Sequence, residues 1–368
     1  MEQKKKENRI VRKPTRPLTL GDRILGGGAT ILIQSMTNTD THNTAATLSQ
    51  VRALERAGCD VVRLAVPDTE AAEIFRSLKA EGVRVPLVAD IHFDYKIALA
   101  AIDAGADKVR INPGNIGSRE KVAEVVRACR ERQIPIRIGV NSGSLEKDIY
   151  AKYGAPTAEA LVESALRHAA ILEDLDYRNI AISVKASDVQ TMIFANRLLA
   201  ERTDYPLHLG VTEAGGGDAA LVKSSIGIGT LLAEGIGDTI RVSLTDSPIA
   251  EVGAARRILD ALGLSKRPGM NIISCPTCGR TKIDLISLLA EFNRRVKEEE
   301  LDRLPITVAL MGCVVNGPGE AREADFGIAG GRGEGLIFSK GEILRKVPED
   351  RLIDTLIAMI VERFGAVK

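Results

Sequence analysis

The sequence has few aromatic residues and almost no net charge. It contains no Trp, aromatic residues make up 3% of it, and the formal net charge is +1. A basic nucleic-acid surface and an aromatic stacking platform are therefore both disfavoured. No stretch approaches the roughly 18 uninterrupted apolar residues of a membrane span, and "MEQKKKENRIVRK" lacks the apolar core of a secretory signal. These absences predict a cytoplasmic protein without a nucleic-acid or membrane partner.

Cysteine is also scarce. The chain has five cysteines, which is too few for a disulfide framework in a chain of this length. Cys59 and Cys129 lie in helical patterns, and we expect both to be inert core residues. The close pair in "CPTC", Cys275 and Cys278, is different, because it is typical of half a zinc site, half an iron–sulfur site or a dithiol redox pair.

Short β-rich runs alternate with amphipathic stretches from Thr30 onward. Eight such runs, each followed by a helical pattern, predict parallel strands with crossover helices. Eight units in about 230 residues fit a (β/α)8 TIM barrel, here residues 1–264, with a doubly wound open sheet as the alternative. "PLTLGDRILGGG" predicts a hairpin beneath the barrel. After the Pro/Gly break "SKRPGM", residues 265–368 predict a smaller α+β domain.

Five of the predicted strands carry one cation inside an apolar run. These residues are Arg63, Arg110, Arg137, Lys185 and Arg241. A buried unpaired charge costs several kcal/mol, so the cations need partners, and the nearby acids Asp90, Glu213 and Asp246 are too few. The sharper hypothesis is that the cations converge at the barrel mouth on a phosphate or diphosphate. Polar residues at the same strand ends that could complete the pocket are Asn112, Asn141, Ser183, His208 and Ser243.

Asp90 and His92 stand two residues apart in "ADIHFD", which places them on the same side of a strand. A carboxylate beside an imidazole is suited to acid–base work. The alternative is that His92 only forms hydrogen bonds in the barrel rim. His42 and His168 are expected to have no chemical role.

The cysteine pair has one further possible partner, Cys313 in "MGCVVNGPGE". No histidine follows His208, so a Cys3His zinc site within the second domain is excluded. A cluster with three thiolates and one oxygen ligand remains possible, and the nearest oxygen donor is Glu320, seven residues after Cys313. The tight turn between them could bring the carboxylate back toward the thiolate, but Glu320 could equally be a solvated turn residue.

Several motifs together resemble one known family. "PLVADIHF", "VRINPGN", "GVNSGS", "GVTEAG", "SCPTCGR" and "GCVVNGPGEA" occur in this order. They resemble the 4-hydroxy-3-methylbut-2-enyl diphosphate synthases of the methylerythritol phosphate route to isoprenoids, and the resemblance covers nearly the whole chain. The chain is similar to the short bacterial type, which has no additional domain between the barrel and the cluster domain.

The resemblance implies reductive ring opening of 2-C-methyl-D-erythritol 2,4-cyclodiphosphate to 4-hydroxy-3-methylbut-2-enyl diphosphate. It also implies a 4Fe-4S cluster on Cys275, Cys278 and Cys313, with Glu320 as the replaceable fourth ligand. Electrons would come singly from flavodoxin or ferredoxin, and head-to-tail homodimers would bring each cluster domain to the partner's barrel. Asp90 and His92 would position the polyol or move protons. The substrate-binding residues that we assign are Arg63, Arg110, Asn112, Arg137, Asn141, Lys185, His208, Arg241 and Ser243.

Two other functions remain compatible with parts of the sequence. A barrel transferase resembling dihydropteroate synthase would also bind a diphosphate at its mouth, with zinc in a structural cysteine domain. A thiol-disulfide or RNA-binding module could use "CPTC", but the neutral charge and the scarcity of aromatic residues disfavour it.

Overall fold

The computed structural model describes residues 10–266, 268–314 and 321–365. Contacts within the chain divide it into two compact units, Met1–Ser265 and Lys266–Lys368. No helix in the described ranges is long and apolar enough to cross a membrane.

The first unit begins with an antiparallel hairpin, β1 (Leu18–Leu20) and β2 (Arg23–Leu25), as predicted. Gly21 lies in its turn with φ of +57°, a left-handed conformation that glycine adopts readily. Leu20 is fully buried and packs with Leu32, Val61 and Val88 of the barrel interior. The hairpin therefore closes the end of the barrel at which the strands begin.

Eight parallel strands follow the hairpin. They are β3 (Leu32–Met36), β4 (Val61–Ala65), β5 (Leu87–Asp90), β6 (Lys108–Ile111), β7 (Ile136–Asn141), β8 (Ile180–Lys185), β9 (His208–Leu209) and β10 (Thr239–Ile240). Neighbours in sequence pair with one another, and β10 pairs with β3. A parallel bridge between Ile182 and Leu207 joins β8 to the segment before β9. The sheet thus closes on itself, which confirms the predicted TIM barrel and excludes the doubly wound sheet.

Helices surround the strands. They span Thr44–Arg56, Ile74–Ala80, Tyr95–Asp103, Arg119–Arg132, Lys147–Tyr153, Ala158–Glu173, Val189–Arg202, Gly217–Ala233 and Pro248–Ala261. Short polar residues start several of them. Asp188 accepts a hydrogen bond from Thr191 N, and Ser247 accepts one from Ile249 N ahead of Pro248. Such caps satisfy backbone donors that have no partner within the helix.

The described residues of the C-terminal unit form a five-stranded mixed sheet and two α-helices. Its strands are β11 (Asn271–Ser274), β12 (Thr307–Met311), β13 (Phe326–Gly330), β14 (Glu334–Ser339) and β15 (Glu342–Pro348), and its helices span Leu285–Glu298 and Leu352–Phe364. β11, β12 and β13 are parallel, whereas β13, β14 and β15 are antiparallel. The predicted α+β architecture is confirmed. The segment "GLIFSKGEILRKV" forms a hairpin of two strands.

Both helices of the C-terminal unit pack on its sheet. Phe292 and Leu356, one from each helix, are fully buried against strand residues such as Val308 and Ile328. The other cluster of buried side chains includes Met311 and Phe338, and Cys275 packs partly against both clusters. The cysteine loops thus extend from a well-packed sheet.

Candidate functional site

The strand register brings the cations of the barrel together. Arg110 is the register partner of Arg137 on β7 and of Asp90 on β5. Arg63 on β4 is paired with Val88, two residues before Asp90. Because side chains alternate along a strand, these residues all point into the barrel, toward the end at which the strands finish.

They line a cavity of about 230 Å³ at that end. The full lining consists of Arg63, Asp90, His92, Arg110, Arg137, Gly139, Asn141, Ser183, Lys185, Thr212, Arg241 and Ser243. Ten of the twelve predicted barrel site residues, Ser183 among them, are therefore brought together. Asn112 and His208 are buried but do not line the cavity. Asn112 instead accepts a hydrogen bond from Gly139 N at 2.9 Å, so it holds the backbone that the Arg110 guanidinium contacts.

Two glycines make room for the cations. A Cβ at Gly139 would lie only 2.4 Å from Arg110 Nε, and Arg110 Nη2 donates to the Gly139 carbonyl at 2.8 Å. A Cβ at Gly210 would lie 2.7 Å from Lys185 Nζ. The absence of a side chain at both positions lets long cationic side chains cross the barrel interior.

The charged residues at the cavity include fewer carboxylates than cations. Asp90 lies 3.7 Å from Arg63 Nε and 3.4 Å from Arg110 Nη1, and Glu251 lies 3.3 Å from Arg241 Nη2. Among the ion pairs of the described residues, none involves Arg137 or Lys185. The cavity therefore carries an excess of positive charge.

Of the three nearby acids considered as partners for the cations, only Asp90 pairs with them within the described ranges. Glu213 and Asp246 are exposed and form no ion pair with the cations within the described ranges. Glu251, which sequence reasoning missed, takes their place from the helix Pro248–Ala261 and also accepts a hydrogen bond from Ser35 Oγ at 2.9 Å. The sequence feature that could have identified Glu251 is an acidic residue among apolar residues, in a helix that packs against the strands.

Burial and mutual repulsion shift the pKa values of the charged residues in the cavity. Burial lowers the pKa of Arg63 to about 10, although Asp90 opposes this shift. The pKa values of Arg137 and Lys185 are also lowered, well below their usual values, by burial and by the neighbouring cations. Burial would raise the pKa of Asp90, but Arg63, His92 and Arg110 hold it below the usual value. An anionic ligand would relieve this repulsion.

His92 lies between Arg110 and Asp90. Arg110 Nη1 lies 3.0 Å from His92 Nδ1, and Asp90 Oδ2 lies 3.6 Å from His92 Nε2. Since a guanidinium can only donate, His92 Nδ1 accepts this hydrogen bond, and Nε2 faces Asp90. This arrangement fits the predicted pairing of Asp90 with His92.

His168, expected to have no chemical role, connects two loops of the barrel mouth. Gly114 N, in the loop after β6, donates to His168 Nδ1 at 3.1 Å. His168 Nε2 lies 3.0 Å from Glu146 Oε1, in the loop after β7, and Ser164 Oγ donates to Glu146 Oε2 at 2.7 Å. His168 thereby positions the loop that follows Asn112, although it does not line the cavity.

The free energy of unfolding is expected to decrease as the pH falls from about 7 to about 5. His168 and His208 are buried, and burial lowers the pKa of both imidazoles below the usual histidine value of 6.5. Below pH 6.5 the unfolded chain binds protons that the folded chain does not, so each imidazole removes up to about 1.4 kcal/mol per pH unit. Urea unfolding at several pH values gives the free energy of unfolding as a function of pH. This free energy should fall less steeply toward low pH in His168→Gln than in the wild type.

His42→Asn is the matched control for this measurement. His42 is exposed, and a hydrogen bond with Asp40 raises its pKa. A raised pKa stabilises the fold at low pH, so removing His42 should make the decline steeper. An unchanged slope in His168→Gln would contradict the assignment of a neutral buried imidazole.

The thiols of the C-terminal unit lie near the ends of two adjacent parallel strands. Ser274 pairs with Leu310, so Cys275 after β11 and Cys313 after β12 emerge from the same edge of the sheet. Gly312 N donates to Cys275 Sγ at 3.2 Å. Cys278 is exposed, and hydrogen bonds from Arg280 lower its pKa.

Three free thiols, one of them accepting a backbone N–H bond, fit the chemistry of a thiolate-bound iron–sulfur cluster. In the part of the chain that the structure describes, no three His, Cys, Asp or Glu side chains are grouped closely enough to hold a metal ion. Glu320 lies outside the described residues. Cys59 and Cys129 are buried as predicted, and burial raises their pKa values, that of Cys59 to about 12.

The fold and the cavity define a TIM-barrel protein with a cationic site at the barrel mouth, followed by an α+β unit with three free thiols. Residues 15–256 match the GcpE TIM-barrel domain, and residues 271–362 match the GcpE protein C-terminal domain. The chain belongs to the GcpE family.

Curated relatives align along almost their full length. A protein of Clostridium perfringens is 58% identical over 95% of this chain and 99% of its own length, and one of Symbiobacterium thermophilum is 54% identical over 98% and 96%. Both are named 4-hydroxy-3-methylbut-2-en-1-yl diphosphate synthase (flavodoxin). Dihydropteroate synthase from Stenotrophomonas maltophilia is similar in structure, with a TM-score of 0.50 and 15% identity over 68% of this chain and 98% of that chain. At this identity the similarity concerns the barrel fold alone.

Proposed function

We propose that this chain is a 4-hydroxy-3-methylbut-2-enyl diphosphate synthase. Its substrate would be 2-C-methyl-D-erythritol 2,4-cyclodiphosphate, which takes up two electrons and two protons (counted for the fully protonated acids), opens its ring and loses one oxygen as water. The observation that carries the proposal is the cavity at the barrel mouth, in a chain whose relatives bear this name. Five cations and one carboxylate, Asp90, line it, and Glu251 pairs with Arg241 from outside the lining. A diphosphate supplies the missing negative charge.

Different residues of the cavity would bind different parts of the substrate. Arg63, Arg110, Arg137, Lys185 and Arg241 would bind the diphosphate through charge-assisted hydrogen bonds, with Asn141 and Ser243 at the strand ends. Asn112 and His208 would act indirectly, the former through Gly139. Asp90 and His92 would orient the polyol and hold a proton on His92 Nε2.

Cys275, Cys278 and Cys313 would hold a 4Fe-4S cluster, with Glu320 as its oxygen ligand. When bound, this cluster supplies electrons singly, received from flavodoxin, which the relatives' names include, or from ferredoxin. We assign substrate binding to residues 1–264 and cluster binding to residues 265–368. We also propose a cytoplasmic head-to-tail homodimer, because substrate and cluster residues belong to different units.

The test is anaerobic turnover. Protein reconstituted with iron and sulfide is mixed with the cyclodiphosphate and reduced flavodoxin, and the products are identified by ³¹P NMR and mass spectrometry. The expected product is 4-hydroxy-3-methylbut-2-enyl diphosphate, formed only when reductant is present. A fully reconstituted protein that leaves the cyclodiphosphate unchanged with both flavodoxin and a chemical reductant would contradict the proposed function.

A further inference from the structure

The barrel interior below the cavity is polar, which is unusual for a TIM barrel. In this fold, alternate strands contribute four side chains to each interior layer, and Val, Ile and Leu dominate. The strand register assigns Gln34, Val88, Arg137 and His208 to one layer and Val61, Lys108, Ala181 and Thr239 to the layer beneath it. Lys108 therefore lies under the anion site, two residues before Arg110 on the same side of β6.

Lys108 has no visible counter-charge. Its side chain is fully buried, and among the described residues its Nζ has no hydrogen-bond partner. The charges that act on it are those of Arg137 and Arg63, and burial and these cations all lower its pKa. Gln34 Nε2 and Oε1 and His208 Nε2 also lack partners in the described ranges.

The charged or titratable groups on the surrounding strands are mostly cations. They are Arg63 on β4, Asp90 on β5, Arg110 on β6, Arg137 on β7, Lys185 on β8, His208 on β9 and Arg241 after β10. Asp90, the carboxylate of this set, is shared by Arg63 and Arg110. An ammonium at Lys108 is therefore strongly unfavourable in the free protein, and an uncharged amine is favoured.

A bound cyclodiphosphate changes this balance. Each of its phosphates keeps one strongly acidic group, so the ligand is a dianion throughout the neutral pH range. Its charges would neutralise Arg137 and its neighbours, and in a low-dielectric interior they would also attract a positive charge one layer further down.

We propose that Lys108 is a positioning residue that takes up one proton from solvent when the cyclodiphosphate binds, thereby adding a sixth cation beneath the anion site. The amine becomes an ammonium, and no other bond changes. This inference rests on the proposed function, because it assumes that the cavity binds the dianion. Lys108 would strengthen binding from below without contacting the substrate.

The test is calorimetric titration of oxidised, cluster-loaded protein with the cyclodiphosphate in two buffers of different ionisation enthalpy, which reports the protons taken up. Wild-type protein is expected to take up close to one proton per site, and Lys108→Met close to none. Affinity of the wild type should fall by up to tenfold per pH unit on raising the pH through the range of uptake. Exposed Lys223→Met is the control and should behave like wild type.

The outcomes separate the two proposals. Wild-type protein that does not bind the cyclodiphosphate contradicts the proposed function and this inference together. Binding without proton uptake, or with equal uptake in Lys108→Met, contradicts the inference alone. Proton uptake that persists in Lys108→Met and disappears in His208→Asn would assign the proton to His208. That result would also overturn the inference about Lys108. Lys108→Gln replaces the Met variant if the latter does not fold.

Discussion

Cys275→Ala is expected to remove the proposed iron–sulfur cluster and with it all detectable turnover. Cys275 is central among the three thiols, because its sulfur accepts a hydrogen bond from Gly312 N and its side chain packs partly against two apolar clusters. Loss of this thiolate would leave two cysteines, which are too few to hold a cubic cluster. Iron and sulfide content and the visible absorption spectrum of anaerobically purified protein are the measurements.

Cys129→Ala is the matched control. Cys129 is fully buried in the barrel unit, and burial raises its pKa, which disfavours the thiolate. This variant should stay brown and active, with a free energy of unfolding lower by about 1 kcal/mol. Normal iron content in Cys275→Ala would show that another residue holds the cluster. One zinc and no iron in the wild type would contradict the cluster itself.

Arg137→Met is expected to weaken substrate binding and to stabilise the free protein. Arg137 is 2% exposed, its Nε and Nη2 have no partner within the described ranges, and its neighbours in register include Arg110. Removing a repelled, buried charge should raise the free energy of unfolding by about 1–3 kcal/mol. Losing a buried cation of the anion site should raise KM about 100-fold, which corresponds to about 2.7 kcal/mol.

Urea unfolding and steady-state kinetics together test this combination. The control is Arg12→Met, which removes an ion pair with buried Asp238 at an N–O distance of 2.6 Å, away from the cavity. That variant should lose about 3 kcal/mol of stability and keep the wild-type KM. A less stable Arg137→Met protein, or one with an unchanged KM, would mean that Arg137 has a structural partner rather than a ligand to bind.

The predicted barrel strands follow directly from local pattern. Each strand run was visible as an apolar stretch followed by a helix, and one cation at an inward position marked five of them. Three cysteines with no further histidine pointed away from zinc in the same way. These features depend on residues close to one another in sequence, so they can be read without knowing the fold.

The pairings across the barrel could not be read in this way. Glu251 replaces Glu213 and Asp246 as the partner of Arg241, because the helix Pro248–Ala261 packs against β3 and brings its acid to the strand ends. His168 contacts Gly114, which is 54 residues away, so no local motif marks the contact.

The sequence by itself therefore determined the class of fold, the inward-facing cations and the cysteine spacing, because strand and helix periodicity are local properties. Only the tertiary structure decided which charges meet and which remain without a partner. Lys108 shows the difference, since it shares the inward side of β6 with Arg110 but lies lower in the barrel. The closure and register of the eight strands set that depth, and they depend on all the strands at once.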